Sequence, residues 1–197
     1  MIKSPNKILK LLVVTGILFF IAQPYVGAAY AADDPVSAPA KEWADKAYTA
    51  NASGKYDEAI LYADKAIRIN SDYAGAYNAR GYARYQKKLY KQTIEDFDIV
   101  INLKPDFHQA YTNRGAAKFY LGLYDGCIED QTIAIKLYPD YGNAYFFRGK
   151  AYHEKKLYDQ AIADYSRALE IEPHASRYNR RADAYLAKGE HDLAVKD

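Results

Sequence analysis

Apolar and small residues recur along this chain with two superposed periods. Within single stretches the spacing is helical. Ala161, Ile162, Tyr165, Ala168 and Leu169 fall at i, i+1, i+4, i+7 and i+8, one face of a helix with 3.6 residues per turn. The equivalent set further upstream is Cys127, Ile128, Gln131, Ala134 and Ile135, with Gln131 the polar exception. Between stretches the period is longer. Gly81, Gly115 and Gly149 stand 34 residues apart, with Ala47 34 before them and Ala182 33 after. An aromatic precedes each small residue by four positions: Trp43, Tyr77, Tyr111, Tyr145 and Tyr178. Tyr56, Tyr90, Tyr124 and Tyr158 keep the 34-residue phase, with His191 next, and so do Pro105, Pro139 and Pro173, with Ser71 in the earlier slot.

This pattern predicts two helices per unit. In one unit the first helix spans 76–87, a turn follows at Lys88, Leu89 and Tyr90, and the second helix spans 91–103. It stops before Pro105 because a residue that precedes proline is disfavoured in the helical region. Gly54, Gly122 and Gly189 mark the inner turn of other units, where a left-handed residue is needed. The small residue at the centre of each first helix lets the second helix approach closely.

The phase and the residues that carry it resemble the tetratricopeptide repeat, a 34-residue helix–turn–helix unit with an aromatic, a small residue, Tyr, Ala, an aromatic, Ala and Pro at fixed places. The resemblance covers 40–197, with units at 40–73, 74–107, 108–141, 142–174 and 175–197 after a linker at 32–39. It implies an all-α fold: an α-solenoid in which antiparallel helix pairs stack into a right-handed superhelix and the first helices line a concave face. Unit one departs from the pattern at Ala63, where an aromatic is usual, and lacks the Pro; unit three departs at Gln131. Unit five ends within its second helix, so the array is expected to continue in a longer protein.

The first 31 residues follow different rules. Lys3, Lys7 and Lys10 form a basic head, an apolar run extends over 11–22, and Ala29-Tyr30-Ala31 offers small residues for cleavage. This is the pattern of a secretory signal peptide, cut after Ala31. The alternative, an uncleaved membrane anchor, has an apolar run short of the roughly 20 residues that span a bilayer. The expected location is therefore periplasmic or secreted, with membrane attachment only through that segment. Removing it changes the charge. The chain has 27 basic and 25 acidic residues, and residues 1–31 hold three Lys and no acid, which leaves 24 − 25 = −1. Net charge thus gives no case for nucleic-acid binding. Cys127, the only cysteine, is read as a small buried apolar residue.

Two polar constellations recur. Arg80 and Asp96, Arg114 and Asp130, Arg148 and Asp164, and Arg181 and Asp197 are each 16 apart, which puts them on facing helices; unit one has Lys46 and Tyr62 there. A ladder of structural ion pairs is favoured over an arginine row for an anionic ligand, because each Arg comes with its own carboxylate. As exposed pairs they would contribute about 0–1 kcal/mol each.

The second constellation is the concave face. The chain has 21 Tyr against 7 Phe and 1 Trp, and a ring with a polar tip suits a groove wall. On the family's geometry the exposed face of the first helices carries Lys41, Tyr48, Asn78, Tyr82, Tyr85, Gln109, Thr112, Phe119, Asn143, Phe146, Lys150 and His153. Aromatics supply area, and amide side chains hold an extended backbone. Some family members clamp acidic peptide tails with Lys, Asn, Asn, Lys and Arg. Only Asn113 matches, the other places holding Asn78, Tyr82, Asn143 and Phe147. Tail binding of that kind is not expected.

Catalytic patterns are absent. His108, His153, His174 and His191 have no His or Cys three or four residues on, the glycines stand singly, and no serine elbow occurs. The expectation is a non-catalytic interaction scaffold without cofactor or metal, binding a protein or peptide segment. A self-associating subunit, or the repeat region of a longer protein with a separate catalytic domain, are the alternatives.

Overall fold

The computed structural model describes residues 38–197; the proposed signal peptide and nearly all of the linker lie outside them. Ten helices follow one another among these residues: α1 Ala38–Ala52, α2 Tyr56–Ile69, α3 Ala74–Gln86, α4 Tyr90–Leu103, α5 His108–Tyr120, α6 Tyr124–Leu137, α7 Gly142–Glu154, α8 Tyr158–Ile171, α9 Ala175–Lys188 and the single turn α10 His191–Ala194. Consecutive helices pack as antiparallel pairs, and the first helices α1, α3, α5, α7 and α9 also pack on one another in sequence. No two second helices pack to that extent among the described residues. A stack held more closely along one row of helices curves toward that row, so the first helices line the concave side of an all-α solenoid.

The helix ends come from backbone chemistry more than from capping side chains. Each inner turn holds one residue in the left-handed region: Gly54, Lys88, Gly122, Lys156 and Gly189. In each turn that residue's N–H donates three residues back and the next N–H donates five back, as in Lys88 to Tyr85 at 2.8 Å and Leu89 to Arg84 at 2.9 Å. This is the Schellman ending, repeated five times. The sequence marked it with glycine only in units one, three and five; Lys88 and Lys156 adopt the same conformation with a side chain in place. Tyr90 opens α4 rather than closing the turn, and α3 begins at Ala74, two residues before the expected start. The second helices end on Asn70, Lys104, Tyr138 and Glu172 in extended conformations, the last three directly before Pro.

Where the two helices of a unit cross, side-chain size is matched pairwise. A Cβ on Gly81 would come within 3.0 Å of the Phe97 ring, and one on Gly149 within 2.9 Å of the Tyr165 ring. Unit one has Ala47 in the glycine place and Ala63 in the ring place, both fully buried. The departure at Ala63 is thus balanced: a smaller partner makes room for the extra methyl. In unit three, Gln131 is fully buried against Gly115. Its amide donates to the Thr112 carbonyl at 3.0 Å, while its side-chain oxygen has no partner.

Candidate functional site on the concave face

The arginine row runs along the seam between helices. Arg80 Nη2 lies 2.7 Å from Asp96 and its Nη1 2.6 Å from Asp64. Arg114 pairs with Asp130 at 2.6 Å and Asp98 at 2.7 Å. Arg148 pairs with Asp164 at 2.8 Å and donates to Thr132 at 3.2 Å. Arg181 pairs with Asp197 and donates to Ser166 at 3.0 Å. The guanidiniums of Arg80, Arg114 and Arg148 therefore bridge their own second helix, 16 residues on, and the second helix of the preceding unit, 16 residues back, while Arg181 joins Asp197, beyond α10, to Ser166 on α8. Each also lies 5.2–5.8 Å from the ring three residues before it: Tyr77, Tyr111, Tyr145 or Tyr178.

The exposed-pair estimate does not apply to these contacts. The side chains of Asp96 and Asp130 are only 1% and 2% exposed. Burial holds the Asp96 carboxyl above its ordinary value of 3.8 even beside Arg80 and Arg84, and Asp164 behaves likewise beside Arg148. All these guanidiniums are engaged within the stack, where they tie one unit to the next.

Several residues expected on an open groove are instead used between units. Tyr48 on α1 donates to the Gly75 carbonyl at 2.9 Å and accepts from the Asn78 amide at 3.1 Å. Asn78 is buried, and so is Thr112, whose carbonyl receives Gln131. Tyr85 is buried too, its ring edge-on to Tyr90 at 5.8 Å and Tyr120 at 5.9 Å. At the end of α3 it points into the joint with α5 and not into the groove. Asn143 accepts from Arg177 at 2.9 Å. Arg177, itself buried, also donates to the Ala168 carbonyl at 2.9 Å and pairs with Glu172 at 2.9 Å. Lys41 is engaged with Asp45 at 2.9 Å along α1. Tyr82 and Gln109 remain half-buried on α3 and α5.

Phe119, Lys150 and His153 come together. They line a cleft of about 210 Å³ with Tyr120, Glu154, Tyr165 and Arg180, drawn from α5, α7, α8 and α9. Phe146 borders it, 6.0 Å from the Tyr165 ring. The Lys150 ammonium sits 4.2 Å from the Phe119 ring centre and 5.0 Å from those of Tyr120 and Phe147. Burial and, after it, the nearby Arg180 charge push its pKa from 10.5 down to about 8. His153 packs edge-on to Tyr158 at 5.4 Å, and its Nε2 is buried without a hydrogen-bond partner. Arg180 is exposed, with Asp183 at 3.4 Å. Extending the concave face into unit five would have found Arg180, which holds the repeat place of Phe147 and Asn113. Arg177 carries no such signal.

Cys127 is buried, its thiol pushed up to about 12 by burial. No group of three or more His, Cys, Asp or Glu could hold a metal ion among the described residues. No described helix is long and apolar enough to cross a membrane.

Stacked helix pairs, a repeated Schellman turn and an inner face that carries a cleft define a helical-repeat interaction scaffold. Family models described as tetratricopeptide repeat match residues 44–106 and 142–174. The chain is a tetratricopeptide-repeat protein. Neither matched segment includes unit three, which carries Gln131 in the ring place. No curated protein matches the chain by sequence. Among solved structures, MamA from Desulfovibrio magneticus RS-1 is 19% identical with a TM-score of 0.74, over 82% of this chain and 92% of that one. Another MamA structure is 26% identical with a TM-score of 0.69, over 76% and 88%. YrrB, described as a TPR protein with an unusual peptide-binding site, is 19% identical with a TM-score of 0.64, over 78% and 80%.

Proposed function

We propose that this protein is an exported, non-catalytic scaffold that captures an extended segment of a partner protein in its concave face. The observation that carries this reading is the convergence of half-exposed rings and polar groups from α5, α7 and α9 on one cleft. The arginine row is spent inside the stack, so it does not compete as a ligand site. YrrB, a relative in fold, is itself described as having a peptide-binding site. Export rests on the basic head, apolar run and Ala29-Tyr30-Ala31 tract.

The test is a pair of variants on the inner face, Tyr82→Ala and Phe119→Ala, against Asn102→Ala on an exposed part of α4. Partner capture from envelope extracts should be lost with the first two while helicity stays unchanged. Capture that survives both removes the groove.

A second reading is favoured by one feature. Leu186, Leu193 and Val195 of unit five are exposed, Val195 to 87%. Such a face can pair with another copy. Sedimentation over a range of concentrations that finds only monomer would exclude it.

A further inference from the structure

The Lys150 cleft has an electrostatic peculiarity. Most cations among the described residues have a carboxylate: the ladder arginines as above, Lys118 with Asp130 at 2.9 Å, and Lys188 with Asp159 at 2.6 Å. Lys150 is different. Its ammonium is shielded from water by the rings of Phe119, Tyr120, Phe146 and Phe147, and no carboxylate of the described residues pairs with it. Arg180 adds a second positive charge to the same lining. The buried Nε2 of His153 adds an unsatisfied polar atom in the same wall. Glu154 is the one carboxylate among the lining residues; its charge favours the Lys150 ammonium only weakly, against the larger effects of burial and Arg180, and forms no ion pair with it.

A desolvated cation without a counter-ion is costly, and an anion that reaches it gains a charge-assisted hydrogen bond in a low-dielectric setting. The aromatic walls give area to an apolar group attached to that anion. A volume of about 210 Å³ fits one or two side chains and not a folded element.

We propose that this cleft is a carboxylate subsite: it takes an acidic side chain, Asp or Glu, of the bound segment, flanked in that segment by an apolar or aromatic side chain. The proposal rests on capture in the concave face and specifies the chemistry of what is captured there. Lys150 and Arg180 hold the carboxylate, and Phe119 and Tyr120 pack against the neighbouring side chain. Binding is linked to pH. Lys150 of the empty cleft is half-deprotonated at about pH 8, whereas a bound carboxylate holds the proton on. Affinity therefore falls as pH rises above that value.

The probes are two short peptides blocked at both ends, acetyl-Phe-Glu-Phe-amide and its Gln counterpart, titrated into the full chain and followed by NMR of the peptide. The Glu peptide should bind about ten-fold tighter or more than the Gln peptide, the worth of one charge-assisted bond. Lys150→Met and Arg180→Gln should each reduce the Glu peptide to the Gln level, while Lys136→Gln on the exposed part of α6 changes nothing. Between pH 7 and 9.5 the dissociation constant for the Glu peptide should rise by about ten-fold, toward that of the Gln peptide, and this rise should vanish in Lys150→Met. Arg180 is exposed, so its variant reads the site even if Lys150→Met perturbs packing. Equal affinity for the two peptides, or no binding at about 10 mM, overturns the subsite. If capture of the natural partner still depends on Tyr82 and Phe119 in that case, the groove stands and only its carboxylate chemistry falls.

Discussion

Asp96 is the side chain whose loss should be felt most. Its carboxylate is buried and accepts from Arg80 Nε at 3.0 Å, Arg80 Nη2 at 2.7 Å and Arg84 Nη1 at 2.8 Å. Asp96→Ala leaves Arg80 with Asp64 alone and Arg84 with no carboxylate, both guanidiniums still largely buried. Breaking a buried pair from one side costs about 3–5 kcal/mol, because the remaining charge is uncompensated. For a chain of this size that lowers Tm by about 6–20 °C. Burial raises the Asp96 pKa even beside both arginines, so the cluster carries a large desolvation cost. Replacing the whole cluster by apolar residues, Arg80→Met, Arg84→Met and Asp96→Leu, should therefore recover most of the loss. Urea titration of wild type, single and triple variants measures this, with Asp125→Ala as a surface control expected to cost under about 0.5 kcal/mol. A cost for Asp96→Ala of under about 1 kcal/mol, or a triple variant no better than the single one, would refute the reasoning.

Three further outcomes follow from the packing. Lys88→Gly and Lys156→Gly relieve a left-handed residue at the inner turn and should each stabilise the fold by about 0.5–1 kcal/mol, read as a higher urea midpoint; a loss instead would mean the lysine side chains matter more than the backbone. Ala63→Phe should destabilise by about 1–3 kcal/mol through overpacking against Ala47, and Ala47→Gly added to it should return much of that, which a double-mutant cycle checks. Lys150 has a folded pKa of about 8 against 10.5 ordinarily, so the unfolded chain binds more protons between these values. Its contribution to stability should therefore rise with pH across that window and disappear in Lys150→Met, as thermal melts at pH 7.5 and 10 would show.

The repeat was legible because it is written in residues whose physics is local. Proline stops a helix and glycine permits a left-handed turn, whatever surrounds them. The forward Arg–Asp spacing was legible for the same reason: Asp recurs in every unit that has the Arg. The backward contact was not, because its acceptor changes from Asp64 and Asp98 to Thr132 and Ser166. The left-handed conformation at Lys88 and Lys156 was hidden by a residue type that rarely adopts what Gly54 adopts freely. On the concave face, helical periodicity gives the direction of a side chain but not what stands opposite. Tyr85 and Asn78 point along the expected face and meet the neighbouring first helix before they meet solvent. Arg180 reaches the cleft through the stacking of unit five on unit four.

The claim that the inner surface is where a partner is held can be tested directly with a photo-crosslinking residue. It is placed in turn at Tyr82 and Tyr120 on the first helices and at Asn102 and Lys136 on the second. Capture in the concave face predicts a crosslinked partner from the first two positions and none from the others. Crosslinks of equal yield from both rows, or from the second helices alone, would contradict it.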